Sequence, residues 1–202
     1  SIIYLTKEKN MIGNELKRLF RGSFVYGIGS VLQNFILFFT LPFFTSVLTT
    51  ENYGVIALVG LASLALTGVF NLGTSNSMSI LYYQQESFEY KSTVVWSNVI
   101  LIFFLIVLLS AFLAYFSSNI SMLIFRSEEN TLYLQLAFLS LFLKTLYIPF
   151  LNYLRIEEKA KKYVSITLIS TLISIFFSMF FVLYCNWGVY GYFLASLVSS
   201  AI

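Results

Sequence analysis

Residues 41–84 read LPFFTSVLTTENYGVIALVGLASLALTGVFNLGTSNSMSILYYQ. The stretch begins in the tail of one apolar run and crosses a short polar loop, TTENYG. It then enters a second run in which no charge occurs between Glu51 and Glu86. About 20 apolar residues carry a helix through the hydrocarbon of a bilayer. In that solvent the backbone must satisfy its own hydrogen bonds, which a helix does. The stretch therefore reads as a helical hairpin in a membrane.

The same pattern continues outward in both directions. Apolar runs cover roughly residues 24–48, 54–83, 93–116, 132–154 and 163–184. A sixth run, 187–202, offers only about 15 residues and is incomplete as a crossing. The second run is longer than a crossing needs, so it is expected to tilt or to leave the membrane before Tyr83. The fold expected is all-α, a polytopic six-helix transmembrane bundle over 24–202 with its sixth helix truncated. Residues 1–23 form an N-terminal segment in which Met11 reads as a natural start. No short apolar run with a small-residue cleavage site precedes the first span, so no cleavable signal peptide is expected.

Composition agrees. Of the 202 residues 58% are hydrophobic, 19% aromatic and 10% charged, where a soluble domain carries about 25% charge. Mean hydropathy is +0.84. There is no Asp and no His, and all nine acids are Glu. A Ser-His-Asp triad, a His-built zinc site and an Asp dyad are thereby excluded. One cysteine, Cys185, rules out an internal disulfide and a Cys-rich metal site. No metal, cofactor or nucleic-acid partner is expected.

The cations are placed unevenly. Lys7, Lys9, Lys17, Arg18, Arg21, Lys91, Arg155, Lys159, Lys161 and Lys162 fall on one side of the expected topology, and only Arg126 falls on the other. Basic loops stay in the cytoplasm. The N-terminus and the loops after spans two and four are therefore expected to be cytoplasmic. The loop 155–162 reads first as a topology anchor touching anionic lipid, and secondly as a guide for an anionic headgroup. Trp96, Trp187 and Tyr163 stand near span ends as interfacial anchors.

Helical spacing puts polar residues on single faces. In span one Ser23, Tyr26, Ser30, Gln33, Asn34 and Thr40 share a sector. In span two Gly60, Ser63, Thr67, Asn71 and Thr74 do so, and in span five Thr167, Thr171, Ser174 and Ser178. Two readings compete. Small and hydroxylated residues let membrane helices pack closely. A water-filled cavity would instead use the amides of Gln33, Asn34 and Asn71, which both donate and accept, to bind sugar hydroxyls. Span five suits packing. Spans one and two suit either.

Lys144 is the twelfth cation, and it lies mid-way along span four. A charge there costs several kcal/mol unless it faces a cavity or a partner. Its sector also holds Ser140, Tyr147 and Arg155, and no Glu lies within a span to neutralise it. It reads either as an anion contact, to a phosphate or an acidic sugar, or as a lysine that snorkels or pairs elsewhere. Pro42 and Pro149, inside spans one and four, each remove a backbone donor and can kink a helix.

The 41–84 stretch resembles the first hairpin of the polysaccharide (O-antigen) flippases. Pro42, Leu48, Glu51, Tyr53, Gly54, Leu72 and Gly73 match that family's pattern of proline, short acidic loop, second helix and Leu-Gly. LRIEEKAKKYVSITLIS resembles the family's basic loop before its fifth helix. The family belongs to the multidrug/oligosaccharidyl-lipid/polysaccharide exporter superfamily, whose members have two six-helix bundles around a central cavity. The resemblance implies that this chain is the first bundle. It also implies a transporter, not an enzyme, that flips undecaprenyl-diphosphate-linked oligosaccharide across the bacterial inner membrane. Lys144, Gln33, Asn34, Asn71, Ser30, Thr67 and Tyr147 are then the expected cavity residues. The implied partners are membrane lipids, the lipid-linked oligosaccharide, a second bundle, and a polysaccharide polymerase with its chain-length regulator.

The rival readings are weaker on their residues. A drug or cation antiporter needs acids inside the membrane. A peptidoglycan-precursor flippase would share the cationic cavity but not the 41–84 pattern as well. A membrane polymerase or glycosyltransferase would need acids or histidines on a sizeable loop, and SSNISMLIFRSEEN offers only Glu128 and Glu129. A non-transporting scaffold remains as a further alternative.

Overall fold

The computed structural model describes the backbone of residues 2–71 and 73–202, and the side chains of Lys17, Phe20, residues 22–69 and residues 73–202. These residues are mostly helical, with no strand among them. The elements are α1 (Ile2–Thr45), α2 (Thr50–Asn71), α3 (Thr74–Tyr82), α4 (Phe88–Tyr115) and α5 (Ser117–Phe125). They continue with α6 (Thr131–Leu146), α7 (Ile148–Ile156), α8 (Ala160–Met179), a π-helical turn (Phe180–Tyr184) and α9 (Gly188–Ala201).

Five stretches of the described chain are long and apolar enough to cross a membrane: Gly22–Thr45, Thr50–Tyr82, Phe88–Tyr115, Thr131–Ile156 and Ala160–Tyr184. Their outward faces carry bare Phe, Leu, Ile and Val, such as Phe38, Leu64, Phe104, Leu108 and Phe176. Water would not tolerate apolar surface on this scale, whereas lipid does. The chain is therefore an all-α polytopic membrane protein.

Local chemistry ends the helices where the sequence turns polar. Thr49 accepts a hydrogen bond from the Asn52 amide as α2 begins, with Glu51 in the first turn against the positive end of the helix dipole. Ser87 accepts from the Tyr90 amide and caps α4. Arg126, Glu158 and Asn186 take left-handed conformations in the turns that follow helices.

Two spans are not single helices. Span two breaks at Gly73, whose φ of 75° lies in the left-handed region that glycine enters without a Cβ penalty. Beside the break, the Thr74 carbonyl in the first turn of α3 accepts the Asn98 side-chain amide from α4 at 3.1 Å. Span four breaks at Tyr147, and Pro149 sits in the first turn of α7. Pro149 therefore starts a helix, where its missing N–H costs nothing, and does not bend the interior of one. Pro42 lies in the last turn of α1, which runs on unbroken to Thr45.

Helix α6 forms the middle of the bundle, flanked by α4, α2 and α9; α9 packs on α8, and α8 on α1. Although only 14 residues long, α9 is the main neighbour of α6. The principal core joins Val59, Ile102, Ile106, Leu134, Ala137, Phe138, Leu141, Val189 and Phe193. Two smaller cores close the ends. Met78, Tyr82, Val94 and Ile156 form the one at the basic end, and Phe44, Leu48 and Val182 the other. Close helix approach needs glycine at two points. A Cβ on Gly191 would stand 2.9 Å from the Phe181 carbonyl oxygen, and one on Gly29 would stand 2.7 Å from Val164.

Candidate functional site

The strongest polar feature inside the bundle is built between α6 and α9. Lys144 donates from Nζ to Ser196 Oγ at 2.9 Å. Ser196 in turn donates to Ser140 Oγ at 3.3 Å, and Ser140, itself buried, donates to the Ala137 carbonyl. Ser140 and Lys144 share a face of α6 because they are four residues apart. Ser196 reaches them because α9 lies along that face. A hydroxyl can take one ammonium proton but cannot cancel the charge. Two of the three donors of Lys144 thus remain for another acceptor.

The other residues expected at a cavity are distributed as follows. Tyr147 marks the break between α6 and α7, is partly exposed, and lies near Ser170 on α8. Thr67 donates back to the Ser63 carbonyl at 2.8 Å on its own helix. The side chain of Asn71 lies outside the described residues. Ser30 and Asn34 are exposed on α1, and Gln33 is half-buried.

The polar sector expected along α1 divides in two. Tyr26 and Thr40 turn inward, on the side of Gly29. Tyr26 packs edge-on against Tyr163 at 5.3 Å, Gly29 meets Val164, and buried Thr40 donates to the Leu37 carbonyl. Ser30 and Asn34 remain on the open side. An amide facing hydrocarbon leaves its polar atoms unsatisfied, so this strip suits water or another protein segment. In span five, the hydrogen bonds of Thr167 and Thr171 stay within the helix, donated to the Val164 and Thr167 carbonyls of α8 itself. The structure thus brings Lys144, Ser140 and Ser196 together, and leaves Ser30, Gln33 and Asn34 on α1, beyond α8.

The motif residues of the first hairpin have structural roles. Leu48 and Tyr53 belong to the small core with Phe44 and Val182. Glu51 charges the start of α2. Gly73 supplies the left-handed break. Gly54 is different, because open space surrounds the position of its missing Cβ.

Sequence reasoning missed three polar links. Ser196 lies in the run set aside as too short. Asn152 donates to Ser75 Oγ at 2.7 Å, and Tyr82 donates to Glu157 Oε1 at 2.6 Å, joining α3 to α7 and its following loop. Nothing in the apolar pattern marks these pairs. Their signal is only that Asn152 and Tyr82 sit one turn or less from a span end.

Neither the curated proteins nor the solved structures yield a match. A family model described as polysaccharide biosynthesis protein matches residues 19–202. That match takes in the first hairpin, the Lys144 cluster and the basic loop together. The chain belongs to the polysaccharide biosynthesis protein family, in keeping with the flippase resemblance of its first hairpin.

Proposed function

We propose that this chain forms the first bundle of a transporter that flips undecaprenyl-diphosphate-linked oligosaccharide across the bacterial inner membrane, for O-antigen, capsule or other surface polysaccharide. The observation that carries this reading is Lys144. It is a cation in mid-span that donates to Ser196, which is in turn bonded to Ser140, with no ion pair from any acid among the described residues. An unneutralised cation in hydrocarbon is retained where it meets an anion. A diphosphate headgroup supplies one, while the lipid tail stays in the bilayer. The exposed Ser30 and Asn34 add groups that suit sugar hydroxyls.

The work is transport, not bond chemistry. The substrate needs a polar path and a second wall, which a second six-helix bundle would provide by alternating access. The N-terminus and basic loops lie in the cytoplasm on this reading, and a polymerase with its chain-length regulator would take the product on the far side. The test is Lys144→Ala and Lys144→Arg in the full protein, with surface polysaccharide and membrane level both measured. Loss of polysaccharide in Lys144→Ala at normal protein level, with part retained in Lys144→Arg, is the expected result. Normal polysaccharide in Lys144→Ala overturns the reading.

A further inference from the structure

At the basic end of the bundle, α1, the end of α3 and the loop between α7 and α8 border an open hollow of about 710 Å³. That is within the usual size of a ligand pocket. Four of its lining residues are cations: Arg155, Lys159, Lys161 and Lys162. Glu158 is an acid in the same lining, with a contact of its own. Lys159 is committed to Glu157 at 3.4 Å and rests over the Tyr153 ring. Arg155 lies over the Tyr163 ring, 4.7 Å from its centre. An arginine held over a ring keeps donors at its edge that fit phosphate oxygens. Lys161 and Lys162 are exposed.

The hydroxyls of this wall are mostly used. Tyr83 donates to the Ile156 carbonyl at 2.6 Å, and Ser79 to the Ser75 carbonyl at 3.0 Å. Tyr26 is the exception. Its hydroxyl is buried and has no hydrogen-bond partner among the described residues. A buried donor without an acceptor is costly by about 1–3 kcal/mol, but this hydroxyl is covered by protein and does not open onto the hollow.

The remainder of the lining is apolar or open. Val25, Ile156 and Ala160 contribute hydrocarbon, and Gly22 leaves empty space where a Cβ would stand. Ile156 and Ala160 are also the last and first residues of two membrane spans. The hollow therefore lies at the level where hydrocarbon gives way to headgroups. A free anion would need only the cationic wall. An occupant with both a phosphate and a tail uses both surfaces.

We propose that this hollow seats the phosphate-bearing headgroup of a membrane lipid. Arg155, Lys161 and Lys162 hold the phosphate oxygens, and the tail leaves past Val25 into the bilayer. The site is separate from the Lys144 cluster, so it stands or falls independently of the transport reading.

The test uses the full chain in neutral phosphatidylcholine nanodiscs, titrated with dioleoyl phosphatidic acid, farnesyl diphosphate and inorganic diphosphate. Binding of at least one of the two lipids is expected. Arg155→Gln combined with Lys162→Gln should weaken it by roughly tenfold. Lys91→Gln removes one charge from the same end of the bundle, outside the hollow, and should change little. Lys144→Ala should leave the binding intact. Preference for phosphatidic acid identifies a resident bilayer lipid, and preference for farnesyl diphosphate an isoprenoid carrier; both support the site. Three results would each overturn it: inorganic diphosphate binding as tightly as the lipids, Lys91→Gln weakening binding as much as the double variant, or the double variant binding unchanged with an unaltered melting temperature.

Discussion

The Tyr82 hydroxyl donates to Glu157 across 2.6 Å and so fastens the end of span two to the loop after span four. Tyr83 adds a second tie, to the Ile156 carbonyl, and Asn152 a third, to Ser75. Side by side, α3 and α7 run toward the basic end as a bonded pair.

That pairing gives a pH signature. The Tyr82 hydrogen bond, helped by Lys159, holds the Glu157 carboxyl below its usual range. A carboxylate with a lowered value stabilises the fold above its ordinary titration, about pH 4.3, and loses that contribution as pH falls through the lowered value. Tyr82→Phe should therefore lower the melting temperature in detergent at pH 7, by an amount equivalent to about 1 kcal/mol. The gap between the two proteins should close in acid. A gap that is constant from pH 7 to acid would remove the carboxylate from the explanation.

Gly73 should not accept a side chain. Its φ of 75° places any L-residue in the left-handed region, at a cost of roughly 1–2 kcal/mol. Gly73→Ala is expected to destabilise by that amount, while Gly54→Ala, with open space at its Cβ position, should be near neutral. Thermal melting of the two variants compares them directly.

Gly191 faces a different obstacle. A methyl there would stand 2.9 Å from the backbone oxygen of Phe181, which cannot rotate away as a side chain can. Gly191→Ala should cost roughly 1–3 kcal/mol, or about 2–4 °C of melting temperature for each kcal/mol. Gly29→Ala meets only the Val164 side chain and should cost less. The reverse ranking would mean that α9 does not approach the π-helical turn as closely as described.

Lys144 and Ser196 should be coupled. Ser196→Ala is expected to destabilise the native chain more than it destabilises Lys144→Met, with a coupling of about 0.5–1.7 kcal/mol, the usual span for polar pairs between membrane helices. Additive effects in this cycle would dissolve the contact between α6 and α9.

The crossing segments were legible in the sequence because length and hydrocarbon content decide them, and Gly22–Thr45 to Ala160–Tyr184 follow that rule. The breaks in spans two and four were not. The apolar run continues across Gly73 and across Tyr147, and hydropathy does not register backbone direction. Lys144 stood out by charge alone, but its partner did not, because Ser196 lies in a run too short to count as a crossing. The polar faces were legible as positions and not as contacts. A helix can satisfy a Thr or Ser hydroxyl on its own carbonyl, as Thr67, Thr167 and Thr171 do, and spacing cannot distinguish that from a bond to a neighbour.

The interruptions at Gly73 and Tyr147 have a mechanical consequence. Each severs the continuous hydrogen-bond ladder of its span, while Asn152–Ser75 and Tyr82–Glu157 splice the two severed ends to each other. A push on the 155–162 loop is therefore carried sideways into α3 as well as upward into α6. The basic end of the bundle behaves as a bracket with its own stiffness, and its two flexures are one glycine and one tyrosine.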